Sequence, residues 1–160
     1  MAKAPEVNIR LVFTSDVKSR LVRLSKGIAS IAESSVVLGT HWPPHVTLFT
    51  FAPKKPVPHV EPRLFTVSFT GLGSLGAGRG RLWVTADIRL TPGLAAFREQ
   101  LIADCGNPRP NRKEFHPHVT LANIRKADFE KISAAVGGAH ILKATHVPCR
   151  LGRIVLPPTS

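Results

Sequence analysis

The pentapeptide Pro-His-Val-Thr-Leu stands at residues 44–48 and again at 117–121, once in each half of a 160-residue chain. Both copies open runs rich in β-branched and aromatic residues, HVTLFTF (45–51) and HVTLANI (118–124), which favour strands. In a strand, successive side chains point to opposite faces. His45 and Thr47 therefore share one face while Val46 and Leu48 take the other, and the same holds for His118 and Thr120 against Val119 and Leu121. Two equivalent strands, each apolar on one side and His/Thr on the other, require a core that both can join. Two copies are too few for a solenoid. The repeat therefore predicts two pseudo-symmetric lobes whose polar faces meet across a cleft.

The flanking pattern fills in those lobes. Residues 7–13 read as a strand, followed by Thr-Ser-Asp, a helix-start signal. Val17, Leu21, Leu24, Ile28 and Ile31 then recur at spacings of three and four, an amphipathic helix. Residues 53–62 hold closely spaced prolines and read as an extended loop carrying Lys54 and Lys55. Residues 64–72 and 81–90 read as strands joined by the glycine-rich 73–80. A glycine-rich phosphate loop is excluded there, because no Lys-Ser/Thr pair ends it. Thr91-Pro92 caps a second helix at 93–105, a third helix spans 127–138, and residues 141–147 and 150–156 read as two closing strands. The prediction is one α+β bilobal domain over residues 1–160, of mostly antiparallel sheet with helices outside. One lobe contains 45–48 and the other 118–121.

Composition supports a packed, basic domain. Hydrophobic residues make up 43% of the chain, enough for a core. No apolar run approaches a membrane span, and the first residues show no secretory signal, so the expectation is a cytoplasmic protein that does not enter a membrane. Cys105 and Cys149 read as cytosolic thiols, neither with a base nearby in sequence to make it a nucleophile. The net charge of +12, scattered along the chain, favours polyanionic partners.

Two opposed histidines suit phosphodiester chemistry without a metal. One neutral imidazole takes a proton from the attacking oxygen while the other, protonated, gives one to the leaving oxygen. The Thr47 and Thr120 hydroxyls would donate to the non-bridging oxygens as phosphorus becomes five-coordinate. Two other readings use the same residues. His41, His45, His116 and His118 could gather round a metal, although no acidic or thiolate partner clusters with them in sequence. A basic cleft could also hold RNA or a nucleotide without turning it over.

At these residues the chain resembles the 2H phosphoesterase superfamily, the LigT-like group of RNA 2′,5′-ligases and 2′,3′-cyclic phosphodiesterases. Its mark is a pair of His-x-Thr-x motifs ending in a hydrophobic residue, here His-Val-Thr-Leu at 45–48 and 118–121. The stretches FTVSFTGLGSL, TPGLAAFREQLIADCG and FHPHVTLANIR resemble the family's context, so the likeness runs from about Val7 to Leu156. The resemblance implies two α+β lobes with both motifs on the floor of a central cleft. It implies His45 and His118 as the catalytic acid–base pair, with either order of roles, and Thr47 and Thr120 as phosphate ligands. It also implies that no cofactor is needed. The implied substrates are an RNA end or a small cyclic nucleotide, with a 2′,3′-cyclic phosphate opened to the 2′-phosphate, or a 2′,5′ linkage, acted on by a monomer. Tyrosine is absent from the chain. Trp42 and Phe115, which flank the motifs, are therefore the candidates for stacking on a base. Arg112, Lys113 and Arg125, near the second motif, are candidates for phosphate contact.

Overall fold

The computed structural model describes residues 6–52, 63–105 and 115–156. The chain order is β1 (Val7–Phe13), α1 (Ser15–Ile31), β2 (His45–Phe51), β3 (Leu64–Val67), β4 (Phe69–Gly78), β5 (Arg81–Ile88), α2 (Pro92–Cys105), β6 (His118–Arg125), α3 (Phe129–Val136) and β7 (Val147–Val155). Short 3₁₀ turns at Lys126–Asp128 and His140–Lys143 flank α3. Among the described residues the strands form one antiparallel sheet in the order β3-β7-β1-β2-β6-β5-β4.

This is the expected α+β arrangement, with the sheets of the two lobes joined edge to edge. The first lobe is β3-β7-β1-β2 and the second is β6-β5-β4. They meet where the motif strands pair, through Val46 opposite Val119. Each lobe contains a β-α-β unit, β1-α1-β2 or β5-α2-β6, whose closing strand carries the motif.

The lobes are not the two halves of the sequence. The run 64–72, read above as one strand, breaks at Ser68. Its first part, β3, pairs with β7 in the first lobe, and its second part, β4, pairs with β5 in the second. At the C-terminal end the opposite happens: the two expected strands become one. Residues 140–143 turn as a 3₁₀ helix that buries Ile141 and Leu142, and β7 alone returns to pair with β1. The chain thus crosses between lobes twice, and alternation of apolar residues cannot say which neighbour a strand will choose. The glycine-rich stretch is β4 itself. Gly78 pairs with Arg81 across a two-residue turn, Arg79-Gly80, both at positive φ (55° and 74°), as a type I′ hairpin demands.

The core lies on one face of the sheet. Ile9, Leu11, Val46, Leu48, Val84, Ala86, Val119 and Leu121 are buried there under α1 and α2. Helix α1 buries Val17, Leu21, Leu24, Ser25 and Ile28, and carries Asp16 in its first turn, where the helix dipole favours an anion. Helix α2 starts where the Leu94 N–H donates to Thr91 Oγ1 (3.1 Å), and it buries Leu94 and Leu101.

Candidate active site

His45 opens β2 and His118 opens β6. Val46 and Val119, the pair at the seam, are fully buried in the core. Strand alternation turns His45, Thr47, His118 and Thr120 to the opposite face. Carrying the antiparallel register one residue to either side of the seam sets His45 across from Thr120 and Thr47 across from His118. The histidine positions then lie on a diagonal about 7–8 Å long. That gap accommodates a phosphoryl group with one imidazole on each side.

A β-bulge follows each motif at the same place. In β1–β2 the register runs from Arg10–Thr47 to Ile9–Phe49, so Leu48 is the extra residue. In β5–β6 it runs from Thr85–Thr120 to Val84–Ala122, so Leu121 is the extra one. A bulge strips its residue of ladder partners, and the freed carbonyl must be satisfied elsewhere. The partners come from the helix of the opposite lobe. Ser25 on α1 donates to the Leu121 carbonyl (2.6 Å), and Arg98 Nε on α2 donates to the Leu48 carbonyl (2.7 Å). Ser25 lies in the buried stripe Leu21-Ser25-Ile28, and Arg98 in the matching stripe Leu94-Arg98-Leu101. Ser25 and Arg98 are separated by the same number of residues as His45 and His118. Each motif is thus braced by the lobe that does not contain it.

The two imidazoles are oriented alike. The Nδ1 of His45 lies 2.9 Å from the Pro43 carbonyl, and that of His118 lies 2.7 Å from the His116 carbonyl. A carbonyl only accepts, so each Nδ1 carries the hydrogen. In each neutral ring Nε2 is then the basic nitrogen. The residue order Pro-His, with the carbonyl two positions before each histidine, provides this grip twice.

Their surroundings differ. Beside the first motif, Arg10 on β1 pairs with Thr47 in register and is only 6% exposed. Its Nε donates to Asn8 Oδ1 (2.7 Å), and Asn8 Nδ2 lies 3.3 Å from Thr47 Oγ1 and 3.1 Å from Thr50 Oγ1. Because Thr47 accepts from Asn8, its own hydrogen is left to donate into the cleft. Burial lowers the His45 pKa below the ordinary histidine value. The Pro43 carbonyl opposes that shift, and the positive charges of Arg10 and His118 add to it. Beside the second motif, Asp87 on β5 is the register partner of His118. It accepts from Thr85 Oγ1 (2.6 Å) and lies 3.2 Å from His116 Nε2. A Cβ at Gly73 on β4 would collide with the Asp87 carboxylate, so the glycine makes the room in which that carboxylate sits.

The expected residues fall into two groups. His45, Thr47, His118 and Thr120 come together at the seam. Trp42 lies in the turn entering β2 and is 55% exposed. Phe115 packs against the core, with the Arg98 guanidinium 4.5 Å from its ring centre, so one face of the ring is taken. Arg125 lies at the far end of β6 from His118, about 23 Å along the strand, and pairs there with Asp128 (3.1 Å). The structure does not bring it to the histidines. Lys54, Lys55, Arg112 and Lys113 lie outside the described residues. Among the described residues no group of three or more His, Cys, Asp or Glu has the closeness of a metal site, and His116 turns to Asp87. Burial pushes the Cys149 thiol up to about 12, and Cys105 is also raised, by burial and then by Asp104. Both stay protonated at neutral pH.

Sequence reasoning missed Asn8, Arg10, Ser25, Thr85, Asp87 and Arg98. Arg10 and Asn8 did carry a signal, since both are polar at alternate positions of a strand that is otherwise apolar. Ser25 and Arg98 had only the faint one of a polar residue inside each helix's apolar stripe.

A family model described as the 2′-5′ RNA ligase superfamily matches residues 21–155, and the chain belongs to that superfamily. A search of the curated proteins finds no match. Among solved structures, Kluyveromyces marxianus Usb1 superposes with a TM-score of 0.54 at 10% identity, covering 96% of this chain and 98% of that one. Usb1 from the same organism with uridine monophosphate gives 0.49 at 12% identity, covering 97% and 98%. The first of these shows a shared fold. No helix among the described residues is long and apolar enough to cross a membrane.

Proposed function

We propose that this member of the 2′-5′ RNA ligase superfamily is a metal-independent phosphodiesterase. It opens a 2′,3′-cyclic phosphate on a nucleotide or RNA end to the 2′-phosphate, or acts on a 2′,5′ linkage, through His45 and His118. The observation that carries this reading is the seam. Two imidazoles with Nδ1 fixed on backbone carbonyls, and two threonine hydroxyls on the same face, are arranged by a pseudo-twofold around one gap.

The residues divide the work as follows. His45, with its lowered pKa and the Arg10 cation nearby, is neutral near pH 7 and serves as the base. His118, the other imidazole at the seam, then takes the part of the acid that gives a proton to the leaving oxygen. A water attacks phosphorus and His45 Nε2 takes its proton. The bond from phosphorus to the 3′ oxygen breaks, and that oxygen receives the proton of His118. Thr47 and Thr120 donate to the non-bridging oxygens in the five-coordinate transition state. The product is a 2′-phosphomonoester beside a free 3′-hydroxyl, and solvent resets both imidazoles.

The test is incubation with the four nucleoside 2′,3′-cyclic monophosphates, and with a short RNA ending in one, in the presence of EDTA. Products formed by the wild type and absent from the His45→Ala/His118→Ala variant support the reading. Turnover that survives in the double variant, or that vanishes with EDTA, removes it.

A further inference from the structure

We propose that Arg10, held by Asn8, is a built receptor for a phosphate oxygen at the first motif and fixes the direction in which substrate lies in the cleft. The inference deepens the phosphodiesterase reading and rests on it for the identity of the ligand. Three observations carry it.

First, Arg10 is a largely buried cation with no counter-ion among the described residues. Among the described residues no carboxylate pairs with it, and its one protein partner is the neutral Asn8, through Nε. A guanidinium that is only 6% exposed keeps little water of its own, so an anion brought to its open end is favoured. Second, the terminal guanidinium nitrogens are available. Among the described residues they have no hydrogen bond, yet no buried side-chain nitrogen or oxygen there is left unsatisfied. The fork therefore opens to solvent. Because Leu11 and Val46 pair on the core side, Arg10 opens on the face of Thr47 and His45. Its neighbour on the other flank is Gly152 of β7, which has no side chain to fill the space. Third, the side chain is preorganised. Asn8 links Arg10, Thr47 and Thr50 in one network, so the fork and the Thr47 hydroxyl are held side by side before ligand arrives. Arginine presents paired N–H groups that match phosphate oxygens.

Among the described residues, the strand beside the second motif carries no cation at the equivalent position. The position corresponding to Arg10 is Thr85, and the one corresponding to Val12 is Asp87. A phosphate is drawn toward β1 and repelled from Asp87. Hydroxyl-bearing groups, such as those of a ribose, suit the Thr85–Asp87 side as donors.

The experiment titrates inorganic phosphate into the full chain and follows the Arg10 Nε–H signal by NMR, assigned by its loss in Arg10→Lys. Arg10→Met is measured alongside Arg23→Met, which removes the same charge from the exposed face of α1. The expected result is a saturable shift in the wild type, affinity at least tenfold weaker in Arg10→Met, and little change in Arg23→Met. With a cyclic substrate, Arg10→Met should raise KM, and Arg10→Lys should restore part of the loss. Equal weakening in the two Met variants, or no saturable shift at Arg10 in the wild type, overturns the proposal. Should Arg10→Met prove unfolded, the wild-type titration still decides. Phosphate bound at Arg10 with no turnover of any cyclic or 2′,5′-linked substrate would sink the phosphodiesterase reading alone. Turnover with kcat and KM untouched in a folded Arg10→Met would sink the Arg10 proposal alone.

Discussion

Around His45 the adjoining strand contributes Asn8 and Arg10; around His118 the corresponding strand contributes Thr85 and Asp87. The parts that must be alike are alike. Both histidines grip the carbonyl two residues back, both motifs end in a bulge, and both bulge carbonyls are held by the opposite helix. The parts that set charge are opposite. A duplicated strand supplies two identical imidazoles, but a reaction that moves one proton in and another out needs them in different states. The neighbouring strands differ in charge, with a cation beside the first motif and a carboxylate beside the second, and the proposed mechanism calls on that asymmetry.

The harshest way to break the comparison is to remove the shared element. His45→Ala and His118→Ala should each lower kcat roughly 10²–10⁴-fold while the circular dichroism spectrum and melting curve stay close to wild type. Loss of activity in one variant only would show that the twin motifs are not twin participants. Next come the braces. Arg98→Met leaves the Leu48 carbonyl unsatisfied, and Ser25→Ala leaves both the Leu121 carbonyl and the Leu38 N–H without their partner. Each should cost about 1–3 kcal/mol in denaturant unfolding. Each should lower kcat more than it raises KM, because a motif strand shifts relative to its opposite. Stability lost with kcat intact would reduce the braces to plain packing.

A gentler test addresses the charge difference. Gly73→Ala pushes the Asp87 carboxylate from its place, and Asp87→Asn removes its charge. Both should reduce kcat by a similar modest factor, and the double variant should be no worse than the worse single one. Additive losses would separate the glycine from the carboxylate. The smallest effect is expected from Trp42→Ala. The ring is exposed and outside the core, so stability should hold and only KM should rise, by a few-fold for substrates with a large base.

Much of this was legible in the sequence. The motif strands, the helices α1 and α2 and the face shared by His45 and Thr47 follow from periodicity and caps. The break at Ser68 was not legible, because residues 64–72 satisfy a strand pattern on both sides of it and only the choice of partner differs. Nor were the bulges after Thr47 and Thr120. Two consecutive buried residues, Leu48-Phe49 and Leu121-Ala122, were their sole trace, and in a sequence that reads as ordinary apolar strand. Arg10 stands in the sequence only as one charge inside an otherwise apolar strand. Its burial depends on β7 and β2 flanking β1, strands that sequence alone does not place beside it.

The central claim is that two like histidines work in unlike protonation states, and the pH dependence of kcat/KM on a 2′,3′-cyclic nucleotide tests it most directly. Burial lowers the His45 pKa, so the proposed base loses its proton at a lower pH than an ordinary histidine does. The account predicts a bell whose rising limb lies below about 6.5, with a falling limb as the acid loses its proton. Arg10→Met removes a positive charge that disfavours protonated His45, so its rising limb should move to higher pH. A profile with one limb, or a rising limb that stays put in Arg10→Met, would contradict the account.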